Sequence, residues 1–372
     1  MCKHLGRSLV LIVPTLSVLV AIASLPSLAS SYRITDLGTL PSAATYAPPW
    51  GMNSAGQAVG IIRASPGRFH AYLYTPGTGA VDLGTLGGDD CSQANGINDL
   101  GQVVGVSSLG PEGARHAFVY TPGLGMSSLG TLGGTSSAAY AGNNAGQVVG
   151  SSMTTDGKFH AFLYTPGSGM ADLGTLPGDA SSWAGATNDL GQVLGVSTAS
   201  DGITRRIFVY TPGAGMSDLG TMGRYVSLHA LNNVGQVVGS YDDGHVRAFL
   251  YTPGLGITSL GAMPGMSSSE AYGVNDEGVV VGDSHGYVGS VSVSHAFVYT
   301  AAVGLIDLGG LGGTHSSAYH IDDAGRIVGT SSDADGRTHI VAWDIIPEPS
   351  SLLALLAGLG GLGGMVWRRR VR

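Results

Sequence analysis

Three consecutive segments decide the fold: Asn98-Asp99-Leu100-Gly101-Gln102-Val103-Val104-Gly105, His116-Ala117-Phe118-Val119-Tyr120-Thr121-Pro122-Gly123, and Met126-Ser127-Ser128-Leu129-Gly130. Asn at the first and Gly at the fourth place of Asn98–Gly101 is type I turn chemistry. It separates a strand over Gln93–Asn98 from a second over Gln102–Ser107. A loop through Gly110-Pro111-Glu112-Gly113 returns the chain as a third strand. There His116, Phe118 and Tyr120 share one side, and Ala117 and Val119 the other, by the two-residue period of a strand. Pro122-Gly123-Leu124-Gly125 supplies a hairpin loop with the glycine that positive φ requires. Met126–Leu132 is then the fourth strand. Such a meander has two partly apolar faces and must bury them against neighbours.

The unit recurs. The Asn-x-x-Gly-Gln-Val-Val-Gly marker, in variants, starts at Asn53, Asn98, Asn143, Asn188, Asn232, Asn275 and Asp322. A Leu-Gly step falls at Gly38, Gly84, Gly130, Gly174, Gly220, Gly261 and Gly309. The His-Ala-Phe marker starts at His70, His116, His160, Arg206, Arg247, His295 and His339. Seven copies spaced about 45 residues apart, each with four short strands, match propeller repeats rather than helical solenoids. The body opens on a fourth strand, Tyr32–Leu40, and ends after a third, His339–Asp344. Pairing those ends removes the open edge. The expected fold is therefore all-β: a seven-bladed β-propeller of four-stranded repeats over residues 32–346, closed by the N-terminal strand pairing with the last three. An open β-solenoid would instead need polar caps at both ends. Aromatics such as Phe118 and Tyr120 are expected to meet the Ala- and Gly-rich face of the next blade. Burying each is worth roughly 1.5–3 kcal/mol.

Both ends carry different information. Residues 1–29 place Lys3 and Arg7 before the apolar run Leu9–Leu25 and end on Ser27-Leu28-Ala29. That is the order of a secretory signal peptide, so signal peptidase is an expected partner. Residues 347–372 read Pro347-Glu348-Pro349, an uncharged stretch over 350–367, then Arg368-Arg369-Arg370-Val371-Arg372. The stretch is just long enough to span a bilayer, and the arginines would stay cytoplasmic. Transient anchoring through 350–367 leaves the body outside.

This tripartite tail resembles the PEP-CTERM sorting signal of exopolysaccharide-producing Gram-negative bacteria. The resemblance implies cleavage near Pro347-Glu348-Pro349 by an integral membrane exosortase, with the product at the cell surface or secreted. The repeat markers resemble the HAF-family extracellular repeat, named for the His-Ala-Phe found at 116–118, 160–162 and 295–297. That resemblance spans Tyr32–Asp344 and implies an extracellular, propeller-like protein with no catalytic residues to transfer. Arg206, Arg247 and Asp322 depart from its pattern.

Composition narrows the function classes. Of 372 residues 62 are Gly, 43% are hydrophobic and only 11% are charged, which fits a folded, turn-rich chain and not a disordered one. Setting aside both ends, 11 basic and 24 acidic residues remain, a net charge of −13. Nucleic-acid binding is excluded, because it needs clustered Lys and Arg. Cys2 leaves with the signal peptide and Cys91 is single, so no internal disulfide forms.

No catalytic, cofactor or metal residues are assigned. His-Glu-x-x-His and paired Glu residues do not occur, and the body holds only Glu112, Glu270 and Glu277 as glutamates. The recurring His sits on successive sheets about 10 Å apart, too far to share one zinc. The repeated Asn is read as turn chemistry. Asp156-Gly157, Asp201-Gly202, Asp242-Asp243-Gly244 and Asp333-Ala334-Asp335-Gly336 read as hairpin tips, with calcium as the alternative. Trp50, Trp183 and Tyr225 are expected in core or inter-blade packing, with sugar stacking the alternative. The clearest break in the repeat is the longer segment Asp283–Ser294, containing His285 and Tyr287, read as a surface insertion. The expectation is a non-enzymatic surface scaffold with exopolysaccharide or another envelope component as partner. The alternative is an extracellular polysaccharide hydrolase or lyase using Asp.

Overall fold

The computed structural model describes residues 32–40, 49–87, 91–108, 114–221 and 226–346, and everything that follows concerns these. They form β-strands and no helix. The second unit runs β6 (Ser92–Ile97), β7 (Val103–Ser108), β8 (Arg115–Thr121), β9 (Gly125–Gly130), each paired antiparallel to the next. The same meander is built by β2 (Gly51–Met52) to β5 (Gly79–Asp82), β10 (Gly133–Gly142) to β13 (Gly169–Gly174), β14 (Asp179–Thr187) to β17 (Gly215–Gly220), and β18 (Val226–Leu231) to β21 (Gly256–Gly261). The leading strand β1 (Tyr32–Thr39) pairs with β28 (Thr338–Ile345), Tyr32 opposite Ile345, completing β26 (Gly312–Ile321) and β27 (Ile327–Asp333).

The repeat motifs specify one packing device. In every Val-Val-Gly step the glycine lies beneath an aromatic of the adjacent strand. A Cβ on Gly105 would come within 2.8 Å of the Phe118 ring and 1.9 Å of the Gln93 carbonyl. Gly150 and Gly282 meet the same obstacle from Phe162 and Phe297, and Gly329 from Trp343. Phe118, Phe162, Phe208, Phe249 and Phe297 are all fully buried.

Each aromatic faces the preceding unit, opposite to the direction expected from the sequence. Phe118 packs with Val59 and Ala71 of the first unit, and Phe162 with Val104 and Ala117 of the second. Strand alternation fixes which residues share a face but not which neighbour that face meets. Every apolar cluster is shared between two successive units, and one joins Val328 and Ile340 of the last to Met52 and Tyr72 of the first. The sheets are thus arranged around an axis as a β-propeller.

Five blades stand as separate four-stranded sheets, not the seven expected. The other eight strands form a single sheet. In it β22 (Ser268–Val274), β23 (Val280–Val288), β24 (Val291–Thr300) and β25 (Gly304–Asp307) join β26–β28 and β1 through one parallel pair, Ser294 with His315. The cause is the segment read from sequence as a surface insertion. It extends the β23–β24 hairpin, which carries Ser294 onto β26.

Candidate functional site

The Asn-x-x-Gly turns all lie at one end of the axis. Within the second, Gly101 N–H donates to the Asn98 carbonyl at 3.0 Å and Asn98 Oδ1 accepts from Gln102 N–H at 2.9 Å. The amide has a further partner that turn chemistry does not predict. Asn98 Nδ2 donates to the backbone carbonyl of Asn143 in the next unit, and Asn53, Asn143, Asn188, Asn232 and Asn275 do likewise, at 2.8–3.3 Å. A parallel ring uses the following residue. Main-chain N–H groups of Ser54, Asp99, Asn144, Asp189, Asn233 and Asp276 each donate to Oδ1 of the next unit's equivalent at 2.8–3.0 Å. Burial works against the Asp99 carboxylate, but the Ser54 N–H and hydroxyl outweigh it and hold it below the usual range.

These rings surround a cavity of about 610 Å³ on the propeller axis. A β-bulge near the end of most inner strands aims one residue at it: Asn95, Tyr140, Gly185, His229, Tyr272 and Tyr319. Trp50 is exposed on its wall. Trp183 lines it too, edge-on to Tyr140 with ring centroids 6.1 Å apart. Five carboxylates border it (Asp99, Asp189, Asp276, Asp322, Asp323), and no Lys or Arg does among the described residues. The sequence placed Trp50 and Trp183 in packing. Trp183 does lean on the fourth–fifth unit core, yet both reach the cavity. Tyr225 lies outside the described residues.

Beside this cavity the last three units break the repeat. Asp283 occupies the strand position filled by Val106, Ser151, Val196 and Ser240 elsewhere. It is buried, accepts from Ser317 Oγ at 2.5 Å, and lies 3.2 Å from His285 Nδ1. Glu270, directly across the strand pair, accepts from Tyr272 Oη at 3.1 Å. His229 stacks edge-on against Tyr272 and its buried Nε2 has no hydrogen-bond partner. Burial pushes the His229 imidazole down to about 4, although Asp283 pulls the other way. Burial first, then the Asp283 and Glu270 charges, raise the Tyr272 phenol. Sequence inspection flagged Asp283 and His285 as a break in the repeat but missed this network. The signal was there: a carboxylate at a place filled by Ile, Val, Ser or Thr in other units.

The other flagged residues serve the frame. His70, His160, His295 and His339 each bond, at 2.9–3.0 Å, the Asp that opens the fourth strand's Asp-Leu-Gly: Asp82, Asp172, Asp307 and Asp36. His116 bonds Ser128 instead, and Arg206 takes the same role with Asp218. The acidic hairpin tips are used within their own loops. Asp201 accepts from Ile203 N–H and Thr204 N–H, and Asp333 from Asp335 N–H and Arg337 N–H, all at 2.8–2.9 Å. Asp242 accepts from Gly244 N–H, and Asp156 from the Thr154 hydroxyl. Pro347, Glu348, Pro349 and Arg368–Arg370 lie outside the described residues, as does 350–367.

Residues 346–370 match the PEP-CTERM protein-sorting motif. No curated protein matches the chain by sequence. Among solved structures it resembles TolB from Acinetobacter baumannii (14% identity, TM-score 0.46, covering 67% of this chain and 62% of that one). It also resembles dipeptidyl peptidase 4 of Porphyromonas gingivalis (14%, 0.44, covering 77% and 48%) and the gluconolactonase XC5397 of Xanthomonas campestris (12%, 0.41, covering 83% and 98%). The chain thus spans about 62% and 48% of the first two. The sorting motif makes the chain an exosortase substrate, a β-propeller exported across the inner membrane toward the bacterial surface.

Proposed function

We propose that this chain is a non-enzymatic, surface-directed scaffold of the HAF-repeat kind, a seven-bladed propeller in which the eight-stranded sheet serves as two blades. It is released by signal peptidase after residue 29 and processed by exosortase at Pro347-Glu348-Pro349, in a Gram-negative envelope. Its axial mouth holds a strand of exopolysaccharide or a similar envelope glycan. The observation that carries this reading is the axial cavity walled by Trp50, Tyr140 and Trp183 and rimmed by amide and carboxylate groups. Flat apolar rings beside hydrogen-bonding rims suit sugar faces and hydroxyls, and the size is that of a ligand site. With five carboxylates and no Lys or Arg among the described residues at the mouth, neutral glycans are favoured and acidic ones repelled. Binding of the mature protein to envelope polysaccharides from its host tests this. Trp183→Ala should weaken retention about tenfold or more, and a wild-type protein retained by none of them would overturn the reading.

A hydrolase or lyase is the second reading, favoured by the adjacent Glu270 and Asp283 carboxylates in the sixth unit, both within 3.5 Å of Tyr272 Oη. Two carboxyl groups are what glycosidic cleavage requires. Turnover of any sugar polymer, abolished by Glu270→Gln with binding intact, would establish it over the first.

A further inference from the structure

We infer that the face bearing the axial mouth rests on the membrane while the C-terminal tail is attached, and that removing the tail uncovers the mouth. The inference builds on the reading that 350–367 anchors the precursor. Its basis is where the chain leaves the ring. In each meander the turn between the first two strands and the turn between the last two share one edge. Gln102 Nε2 donates to Thr121 Oγ1 at 3.4 Å across the second unit, and Gln57, Gln147, Gln192 and Gln236 make the same bond at 3.1–3.4 Å. That edge is the mouth side, because the first turns line the cavity. In the last unit Ile345 takes the place of the second turn. A Cβ on Gly325, in the first turn of that unit, would meet Ile345 Cδ1 at 2.9 Å. Strand β28 therefore ends on the mouth face, and Pro347 follows two residues later.

The tether is short. From Ile346 to Ser350 the chain reaches at most about 14 Å, of which lipid headgroups occupy about 6 Å. The seventh unit is thus held at the bilayer surface. Tips on the far side of the ring suit the same partner. Leu100 and Leu124 of the second unit, Leu190 of the fourth, and Val234 and Leu255 of the fifth are exposed on this face, Leu124 at 85% and Leu255 at 86%. They would settle into the headgroup–acyl boundary, as apolar residues of interfacial segments do. None of these turns carries Lys or Arg, so charge does not draw the face to anionic lipid. The tail supplies the proximity and the apolar tips the orientation, so a glycan reaches the mouth freely only after exosortase has cut.

The test uses the signal-processed, tail-bearing chain in phosphatidylcholine vesicles containing brominated lipid. A fluorophore is placed on Leu124→Cys in a Cys91→Ser background, or on the native Cys91, which is exposed and immediately precedes the inner strand β6 at the opposite face. Quenching several-fold stronger at position 124 than at 91, lost in the tail-free protein, is expected. Equal quenching at both positions, in protein whose tail the bilayer shields from protease, would overturn the inference while leaving the anchor intact. A tail that does not insert would remove the anchor reading and the inference with it.

Discussion

The second to fourth units and the fifth to seventh units share one frame and differ in what they put on the axis. In both halves an aromatic lies over a glycine, a serine hydroxyl of one unit takes the Ala N–H of the unit before, and an Asn amide reaches the next turn. Ala117 N–H donates to Ser137 Oγ at 2.9 Å in the regular half and Ala248 N–H to Ser269 Oγ at 3.0 Å in the other. The axial positions diverge. Asn95, Tyr140 and Gly185 stand where His229, Tyr272 and Tyr319 do, and His320 replaces the Gly or Ala of every other unit. The difference teaches that the repeat is kept where units touch and relaxed where they face the cavity, so ionisable chemistry gathers in one half without disturbing the ring.

The strongest way to break that comparison is to attack the shared frame in each half. Gly105→Val and Gly282→Val should each cost about 3 kcal/mol or more, since the new Cβ would overlap both a ring and a carbonyl at 1.9 Å. Urea unfolding of the two variants measures it. A sixth unit that tolerates valine while the second does not would show that the halves are built differently.

That frame is the part a sequence reader can see. The period, the four strands, the turn glycines and the completing strand Tyr32–Thr39 all follow from local patterns, and β1 pairs with β28 accordingly. What stayed hidden depends on how units sit against each other. Asn98 reaching Asn143 is a contact across 45 residues that turn chemistry alone does not require. The facing of Phe118 toward the first unit follows from which side of a twisted sheet its neighbour stacks on, and period-two alternation is blind to that. The merging of the last two sheets came from residues 283–294, where a lengthened hairpin reads as a loop until its register is known. The candidate site was legible only as departures from the repeat, and Asp283 had been seen without its partners.

Acid should separate the halves next. The folded imidazole of His229 has its affinity for protons lowered to about 4 from 6.5 by burial, so the unfolded chain binds the extra proton between those values. Stability is therefore full above about pH 6.5 and falls as the pH drops toward 4, by about 3 kcal/mol from this residue. His320 is shifted the same way by burial, against the pull of Asp99. His285 has the opposite sign, raised by its bond to Asp283, and favours the folded state at lower pH. His229→Tyr, which copies Tyr140 of the regular half, should flatten this limb in melting temperatures taken from pH 7 to 4. An unchanged slope would mean that the imidazole is protonated in the folded ring at no cost.

The smallest effect sharpens the comparison at the closing seam. Six amides link successive turns, but at the seventh place Asp322 has no N–H to offer Asn53, whereas its Oδ1 still accepts from Arg326 N–H at 2.8 Å. Asn143→Ala in the regular half removes the bond to the Asn188 carbonyl and the acceptor for Gln147 N–H, and should cost about 1–2 kcal/mol. Asp322→Asn keeps the acceptor and adds the missing donor, so it should stabilise by about 0.5–1 kcal/mol and also relieve repulsion among Asp99, Asp322 and Asp323. Chemical denaturation of both variants decides it. If Asp322→Asn gives nothing while Asn143→Ala is costly, the seam between the last and first units is held by β1 on β28 alone and does not need the amide ring.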